Sequence, residues 1–530
     1  MSATTMPAAA PAPADPMLLG VPRRHFFGFM SMVLGMFMAI LDIQIVSASI
    51  SDIQAGLAAS PDEASWVQTS YLIAEIVMIP LSGFLSRLLS TRLLFTISAL
   101  GFTLFSFACA MATSLPEMIV FRALQGFLGG AMIPTVFAST YLMFKGDQRT
   151  RMSVLIGLTA TLAPTIGPTL GGLLTETFSW HWLFLINVPV GLFIAWSVWT
   201  NVDIDEGDSR LLARFDWIGL GLMATFLGCL EYVMEEGPRG DWLQDSTVLS
   251  FAVICTISGA LFFHRAFTRT EPIVELRAYG NKNFAIGALF AFLVGVGLYG
   301  SVYLIPLYLG RIRGYNSLQI GETMFITGVG MFMAAPIIGR LARSVDLRLI
   351  MAVGLLANGL AIWMTAQLTS QSSFAELWLP LGLRGVATLT IMVPVNQVAL
   401  GTLPPQMLKN ASGLFNLMRN LGGAVGLALI NTLVIDRSAG HRQHLAESAG
   451  WARSGATHWL DTMTSALTPR LGAVQAESAA LRKLSDVVTQ QALILSYNDV
   501  LILMACLFFA AAPLVLLLKA PRPGGGGGGH

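Results

Sequence analysis

Charge is what this chain has least of. Asp, Glu, Lys and Arg make up 12% of its 530 residues, about half the roughly 25% of soluble domains. So little charge cannot cover a water-facing surface of this length, which excludes a soluble globular protein. The charges also nearly cancel, with a formal net charge of +1, so there is no basic footprint for nucleic acid and no call for an acidic partner. Cysteine is scarce too. Cys109, Cys229, Cys255 and Cys506 lie in apolar segments without metal-ligand spacing and read as small core hydrophobes. The seven histidines avoid the centres of the apolar segments, so a metal or acid–base site inside them lacks material. No G-x-x-x-x-G-K-[ST] phosphate loop occurs. No cofactor is called for, ATP is not a fuel bound by this chain, and an ion gradient remains. One proton crossing with about 100 mV releases roughly 2.3 kcal/mol, enough for about a fiftyfold solute gradient at one-to-one exchange.

What is abundant is apolar sequence. Hydrophobic residues fill 54% of the positions and the mean hydropathy is +0.67, which marks a polytopic membrane protein in a lipid bilayer. Apolar windows of about twenty residues or more fall near 26–49, 66–86, 93–113, 117–143, 152–175, 182–200, 216–234, 247–267, 284–309, 320–342, 348–368, 376–402, 411–435 and 492–518. These are fourteen expected spans. With the N-terminus in the cytoplasm, nineteen Lys and Arg lie in short inner loops or at the inner ends of spans, and three (Arg239, Arg311, Arg313) in short outer ones. The positive-inside rule therefore puts both termini in the cytoplasm. The Ala- and Pro-rich start, extended to residues 1–22, reads as a disordered tail, and 520–530 as a Gly-rich one.

An internal repeat organises the spans. Pro80-x-x-Gly83-x-Leu85-Ser86-Arg87, followed by Arg92-Leu93, recurs in register as Pro336-x-x-Gly339-x-Leu341-Ala342-Arg343, followed by Arg348-Leu349. The offset is eight spans, so both copies share one orientation, and two extra helices separate two six-helix halves. The expected divisions are 23–200 for the first half, 201–280 for the inserted pair with its flanking loops, and 281–519 for the second half. The second half includes a long outer loop at about 437–490. Leu471, Val474, Leu481, Leu484 and Val488 give that loop a helical stripe, which packs on the protein itself or docks a partner.

Membrane-embedded ionisable residues cost roughly 2.5–3.5 kcal/mol each on insertion scales, so each needs a reason. Asp42 (span 1), Glu75 (span 2), Arg122 (span 4), Glu231 (span 7), Glu322 (span 10), Arg384 (span 12) and Arg419 (span 13) are in this position. A carboxyl in a low-dielectric cavity has its charged form disfavoured, which suits it to pick up and release protons. Asp42 and Glu75 are the candidates for proton coupling, with Arg122 as participant. The other reading is a permanent ion pair with Arg122 that only fixes helix register. Glu231 ranks lower, because it lies near the outer end of its span. Gln125, Gly126, Gly129 and Gly130 share the face of Arg122 and make it polar and small.

The stretch Gly157–Gly172, GLTATLAPTIGPTLGG, packs two prolines and four glycines into a membrane-length segment. Lipid tolerates such a helix only where neighbouring helices satisfy the freed carbonyls. On helical spacing Pro164, Pro168 and Gly172 form one small-residue ridge and Gly167 and Gly171 a second, which lets other backbones approach closely. The pattern is missing from span 13, where Asn420 stands at the position of the first proline. It reads as tight packing, or as a hinge between two moving bundles.

These residues resemble the fourteen-helix drug:proton antiporters of the major facilitator superfamily. The Gly157–Gly172 stretch, continued by Trp180-His181-Trp182-Leu183-Phe184-x-x-Asn187-x-Pro189-x-Gly191, resembles the family's antiporter motif and next helix. Arg122-x-x-Gln125-Gly126 is similar to its helix-four motif and Leu41-Asp42 to its first-helix acidic motif. Asp216-Trp217-x-Gly219 is similar to the start of its inserted pair, and Ala411-Ser412-Gly413-x-x-Asn416-x-x-Arg419-x-x-Gly422-Gly423 to its span-thirteen signature. Arg87 stands where the family's loop motif carries Asp, as Arg343 does in the second copy, so the charge relay at the cytoplasmic gate is expected to differ. That gate takes in Gly83, Arg87, Arg92, Gly339, Arg343 and Arg348. Within the family the chain most resembles the inner-membrane subunits of tripartite efflux pumps of the EmrAB type.

The resemblance implies an all-α major facilitator fold in a bacterial inner membrane. It implies exchange of protons for hydrophobic or amphiphilic drugs, which pass to a periplasmic adaptor and an outer-membrane channel. It also implies that the Gly157–Gly172 stretch is a seal between the halves that hinders proton leak without touching substrate. Gln125, Tyr299, Tyr303, Asn396 and Asn416 are the candidates for the substrate cavity, with ordinary packing as the other reading. The competing function is a proton-coupled importer on the same fold.

Overall fold

The structure, a computed structural model, describes residues 17–18, 21–269, 272–448 and 454–519. The expected tails at 1–16 and 520–530 lie outside these residues. Residues 17–22, expected to belong to the first tail, include a short ribbon in which Met17–Leu18 pairs antiparallel with Val21–Pro22.

Among the described residues, fourteen helices are long and apolar enough to cross a membrane. Spans 1 to 6 are Arg23–Ser47, Trp66–Leu89, Thr91–Ala110, Leu115–Met143, Gly146–Thr177 and Trp182–Asn201. Spans 7 and 8 are Trp217–Glu236 and Ser246–Thr268. Spans 9 to 14 are Lys282–Arg311, Leu318–Ser344, Leu347–Thr365, Phe374–Leu400, Pro405–Glu447 and Val474–Leu517. Short polar side chains start several of them by taking up orphan N–H groups. Asp245 accepts from Thr247 and Val248 at span 8, Asn281 from Asn283 and Phe284 at span 9, and Asp346 from Arg348 at span 11. Outward-facing apolar side chains such as Trp196, Ile257 and Phe332 stay exposed, as a lipid-facing surface requires.

The two halves meet along two seams. Span 2 lies against span 13 on one side, and span 5 against span 10 on the other. The repeated glycines sit in those seams. A Cβ on Gly83 would come within 2.7 Å of the Asn410 Cα in span 13, and one on Gly339 would rest 3.7 Å from Val154 Cγ2 in span 5. The duplicated motif thus marks the same kind of contact twice, each copy touching the opposite half.

The inserted pair is peripheral. Span 8 packs mainly on span 7, whereas span 7 reaches both span 2 and span 13. Its start is fixed by Asp216, which accepts the Gly219 N–H at 3.0 Å and ion-pairs with Arg265 at 2.7 Å and Arg269 at 3.3 Å. Burial by itself raises this carboxyl, but the bonds from Arg265 and the Gly219 N–H, with the charge of Arg269, hold it below its ordinary range.

The segment 437–490, between spans 13 and 14, is helical over most of its length. The helix carrying span 13 runs unbroken from Pro405 to Ser448, a further helix covers Ser454–Leu471, and the helix carrying span 14 begins at Ala473. At 1.5 Å per residue the first and last of these are about 66 and 58 Å long, roughly twice the ~30 Å hydrocarbon core. They therefore project as a helical hairpin. Of the apolar stripe, Leu471, Val474 and Leu481 are exposed while Leu484 and Val488 are half-buried. Ala476 and Ala480, with Leu460, are buried instead, since small side chains let the two projecting helices approach.

Candidate functional site

The centre of the first half is a buried polar knot around Asp42. Arg122 donates through Nη1 to Oδ2 at 2.6 Å, Gln125 through Nε2 to Oδ1 at 3.2 Å, and Asn187 through Nδ2 to Oδ1 at 2.7 Å. Arg122 also donates through Nε to the Val67 carbonyl at 3.1 Å, and its guanidinium lies 4.3 Å over the Tyr71 ring. Asp42 and Arg122 are both 0% exposed. Close backbone approach makes this possible. Gly126 lies against the Tyr71 backbone, and a Cβ on Gly130 would sit 2.8 Å from the Glu75 carbonyl oxygen, so span 4 lies almost in contact with span 2. A charge with three donors around it is compensated in the low-dielectric interior. Gln125, a candidate for the substrate cavity, belongs to this knot.

Glu75 has a different setting. It is 2% exposed and its Oε1 has no hydrogen-bond partner. It lines a cavity of about 480 Å3 between the halves, together with Gln44, Gln68, Pro168, Tyr299 and Tyr303. The lining runs outward to Gln54 and Arg239, at the end opposite the arginine-rich repeat loops. Of the three proton-coupling candidates, two form a sealed pair and the third faces space.

The arginine-rich end is closed. Tyr141 donates to the Asn396 carbonyl at 2.6 Å, Ser412 to the Pro134 carbonyl at 2.6 Å, and Lys409 to the Ser86 carbonyl at 2.8 Å. Lys409 also ion-pairs with Asp205 of the segment that follows span 6, and Arg343 pairs with Asp147 across the halves at 3.2 Å. Arg87 lies 5.8 Å over the Phe84 ring, while its carbonyl accepts the Asp208 N–H at 2.9 Å. Arg92 reaches Asp203 at 3.8 Å, and Arg348 reaches Asp346 at 3.8 Å. Near Arg87, the Lys409–Asp205 pair supplies the charge link at this end.

Span 5 stays one helix through Pro164 and Pro168 and turns two faces outward. Gly167 abuts Gln44, and a Cβ on Gly171 would lie 2.7 Å from the Ile45 carbonyl oxygen, so this ridge packs on span 1 just beyond Asp42. Gly172 is buried on the same helix, and its carbonyl accepts the Thr175 hydroxyl at 3.0 Å. The other face meets the second half. Gly321 of span 10 abuts Thr169, and Gly328 lies against Leu162 and Thr165. A Cβ on Gly157 would rest 3.2 Å from Leu389 Cδ1 in span 12. Pro168 lines the cavity, because span 5 runs along its edge.

Tyr299 and Tyr303 line the cavity, and Gln125, Asn396 and Asn416 do not. Asn416 turns its amide back to the Ser412 carbonyl at 2.9 Å, and the Asn396 carbonyl is taken by Tyr141. Polarity alone could not distinguish a cavity wall from the buried seam between spans 4, 12 and 13. Three residues with clear roles were outside the candidate set: Asn187 in the Asp42 knot, Asp205 at the closed end, and Ser106, which accepts from Asn187 at 3.1 Å. A lone amide in an apolar span was the available signal for Asn187. Nothing local marks Ser106. Among the described residues, no group of three or more His, Cys, Asp and Glu could hold a metal ion.

Known proteins share this plan. The profile of the Major Facilitator Superfamily matches residues 32–427. The colistin resistance protein EmrB of Acinetobacter baumannii is 43% identical over 90% of this chain and 93% of its own. The multidrug export protein EmrB of Escherichia coli is 28% identical over 90% and 91%. The crystal structure of the human organic anion transporter MFSD10 (TETRAN) superposes with a TM-score of 0.56 at 14% identity, covering 92% of this chain and 100% of that one. That last likeness is one of fold.

Proposed function

The chain belongs to the major facilitator superfamily, and from that membership we propose that it is a secondary active multidrug efflux transporter, exchanging protons for hydrophobic or amphiphilic toxic compounds. It is a transporter and not an enzyme. The observation that carries the exchange reading is Glu75, a buried carboxyl with an unpartnered oxygen on the wall of a cavity between two halves. An empty site of this kind is stable with a proton on the carboxyl, and an entering substrate displaces that proton. Asp42 and Arg122 lie behind it on the same bundle and couple the proton to the position of spans 1 and 4. Tyr299 and Tyr303 offer aromatic walls to substrates of varied shape.

The protein works in a bacterial inner membrane with both termini cytoplasmic, a reading supported by the bias of nineteen basic residues to three. In that frame the closed end is cytoplasmic and the cavity faces the periplasm. Gly83, Arg87, Arg92, Gly339, Arg343 and Arg348 form the cytoplasmic gate. Gly157, Pro164, Gly167, Pro168, Gly171 and Gly172 form the seal along which the halves move. The hairpin that projects beyond spans 13 and 14 is the surface offered to a periplasmic adaptor, which leads to an outer-membrane channel. Inverted membrane vesicles test the exchange. An acid-loaded lumen should drive uptake of a fluorescent drug and lose protons as it does so. Failure of the gradient to drive uptake would refute antiport, and drug leaving with the protons would establish the importer reading instead.

A further inference from the structure

Span 7 belongs to neither six-helix half, yet it contributes a wall to the central cavity. It is tied to both halves. The Trp66 and Tyr232 rings lie 5.6 Å apart, a Cβ on Gly228 would rest 3.4 Å from Ile73 Cγ2, and Trp242, just beyond the span, donates to Thr432 at 2.9 Å. From the face so fixed, Glu231 enters the cavity that Glu75 lines from span 2. Glu231 is 6% exposed and its Oε2 has no hydrogen-bond partner. A buried carboxylate oxygen left unpaired is unfavourable by several kcal/mol, so both carboxyls are built to hold either a proton or a cation.

The neighbouring charges leave that place open. Among the cavity-lining residues, Glu75, Glu231 and Glu235 face a single cation, Arg239, and Arg239 is engaged by Glu236 at 3.4 Å. Arg122 is held by Asp42, whereas Arg419, on span 13, stacks 5.5 Å over the Phe137 ring, leaves its Nη1 without a hydrogen-bond partner and acts on Glu75 by its charge from outside the cavity lining. Glu231 meets only the like charges of Glu235 and Glu75, so it is the carboxyl that no cation accompanies. Tyr299, in the same lining, adds an aromatic face of the kind organic cations favour.

We propose that Glu231 is a second substrate anchor, which together with Glu75 and Tyr299 binds the cationic group of an amphiphile, an alkylammonium or phosphonium, so that the inserted helix sets substrate class. This rests on the efflux reading above. Bound cation replaces protons on the carboxyls, and no bond other than O–H is broken.

The test uses the full chain, purified in lipid nanodiscs, with tetraphenylphosphonium as the cation and N-phenyl-1-naphthylamine as a neutral amphiphile. Glu231→Gln should weaken phosphonium binding about tenfold or more and leave the neutral probe unchanged. Glu231→Asp, which keeps the charge, should fall between the two. In the wild type, phosphonium should protect Glu231 from modification by a hydrophobic carbodiimide, read by mass spectrometry, so the outcome does not depend on the folding of any variant. Equal weakening of both probes, or no change in either, or modification unaffected by phosphonium, would overturn the proposal. Proton-driven transport of the neutral probe by the wild type, measured in inverted membrane vesicles, separates the two claims. If it is absent the efflux reading fails, and if it is present while Glu231 proves indifferent to phosphonium, this inference alone fails.

Discussion

Replacing Asp42 by Asn is the most informative single perturbation of the buried knot. Three donors converge on the carboxylate at 2.6, 3.2 and 2.7 Å. An amide supplies one acceptor and turns an N–H2 group against the remaining donors, while the Arg122 guanidinium, itself fully buried, loses its counter-charge. Removing one member of such a pair is expected to destabilise by about 3–5 kcal/mol. Thermal unfolding of the purified variant in detergent reads this directly. Adding Arg122→Gln neutralises both sides, so the double variant should recover most of the loss, with a coupling of about 2 kcal/mol or more between the positions. Recovered stability without recovered proton-driven efflux would assign Asp42 to coupling as well as to architecture. A single Asp42→Asn variant as stable as the wild type would refute the reasoning from the ion pair. A double variant with full efflux would reduce Asp42 to a structural residue.

The other positions give distinct signs. Glu75→Gln removes a carboxyl with an unpartnered oxygen, so unfolding temperature should hold or rise while proton-driven efflux in vesicles falls by at least about tenfold. A lowered unfolding temperature with intact efflux would contradict this. Gly83→Leu places a side chain where a Cβ already comes within 2.7 Å of Asn410. The closed end should be disfavoured by about 1–3 kcal/mol, seen as faster labelling of a cysteine introduced at Ser86, and unchanged labelling would contradict the seam. Asp216→Asn should cost about 2 kcal/mol at neutral pH by loss of charge-assisted bonds at the start of span 7. The native carboxyl is held below its ordinary range, so its contribution is present above about pH 4 and disappears as pH falls through the depressed native value. Unfolding curves of wild type and variant should converge in acid, and a gap that persists there would contradict the assignment.

The spans and their number were legible in the sequence because lipid imposes a length and a composition that no other environment does. The repeat was legible for a related reason. Gly83 passes so close to the Asn410 backbone of the other half that nothing larger fits, and Gly339 marks the corresponding position in the other seam, where a Cβ would make an ordinary contact with Val154. The partnership of Asp42 with Arg122 could be listed as an alternative but not chosen, because the choice depends on Asn187 and Ser106 arriving from spans 6 and 3. The split between Asp42, sealed in the knot, and Glu75, facing the cavity, was likewise invisible, since both are single carboxyls in apolar helices. Glu231 ranked low by its position near a span end, and its importance comes from span 7 lying in the cleft between spans 2 and 13. The helical character of the segment between spans 13 and 14 is legible, but its buried positions are not, because Ala476 and Ala480 are small residues that carry little hydrophobic signal.

The central claim is that substrate and proton compete for carboxyls in the cavity. Proton release from weakly buffered, purified protein on addition of tetraphenylphosphonium measures that competition most directly. The wild type should release protons in proportion to substrate bound, and Glu75→Gln should release fewer at the same occupancy. Binding without proton release by the wild type, or equal release by the variant, would contradict the account.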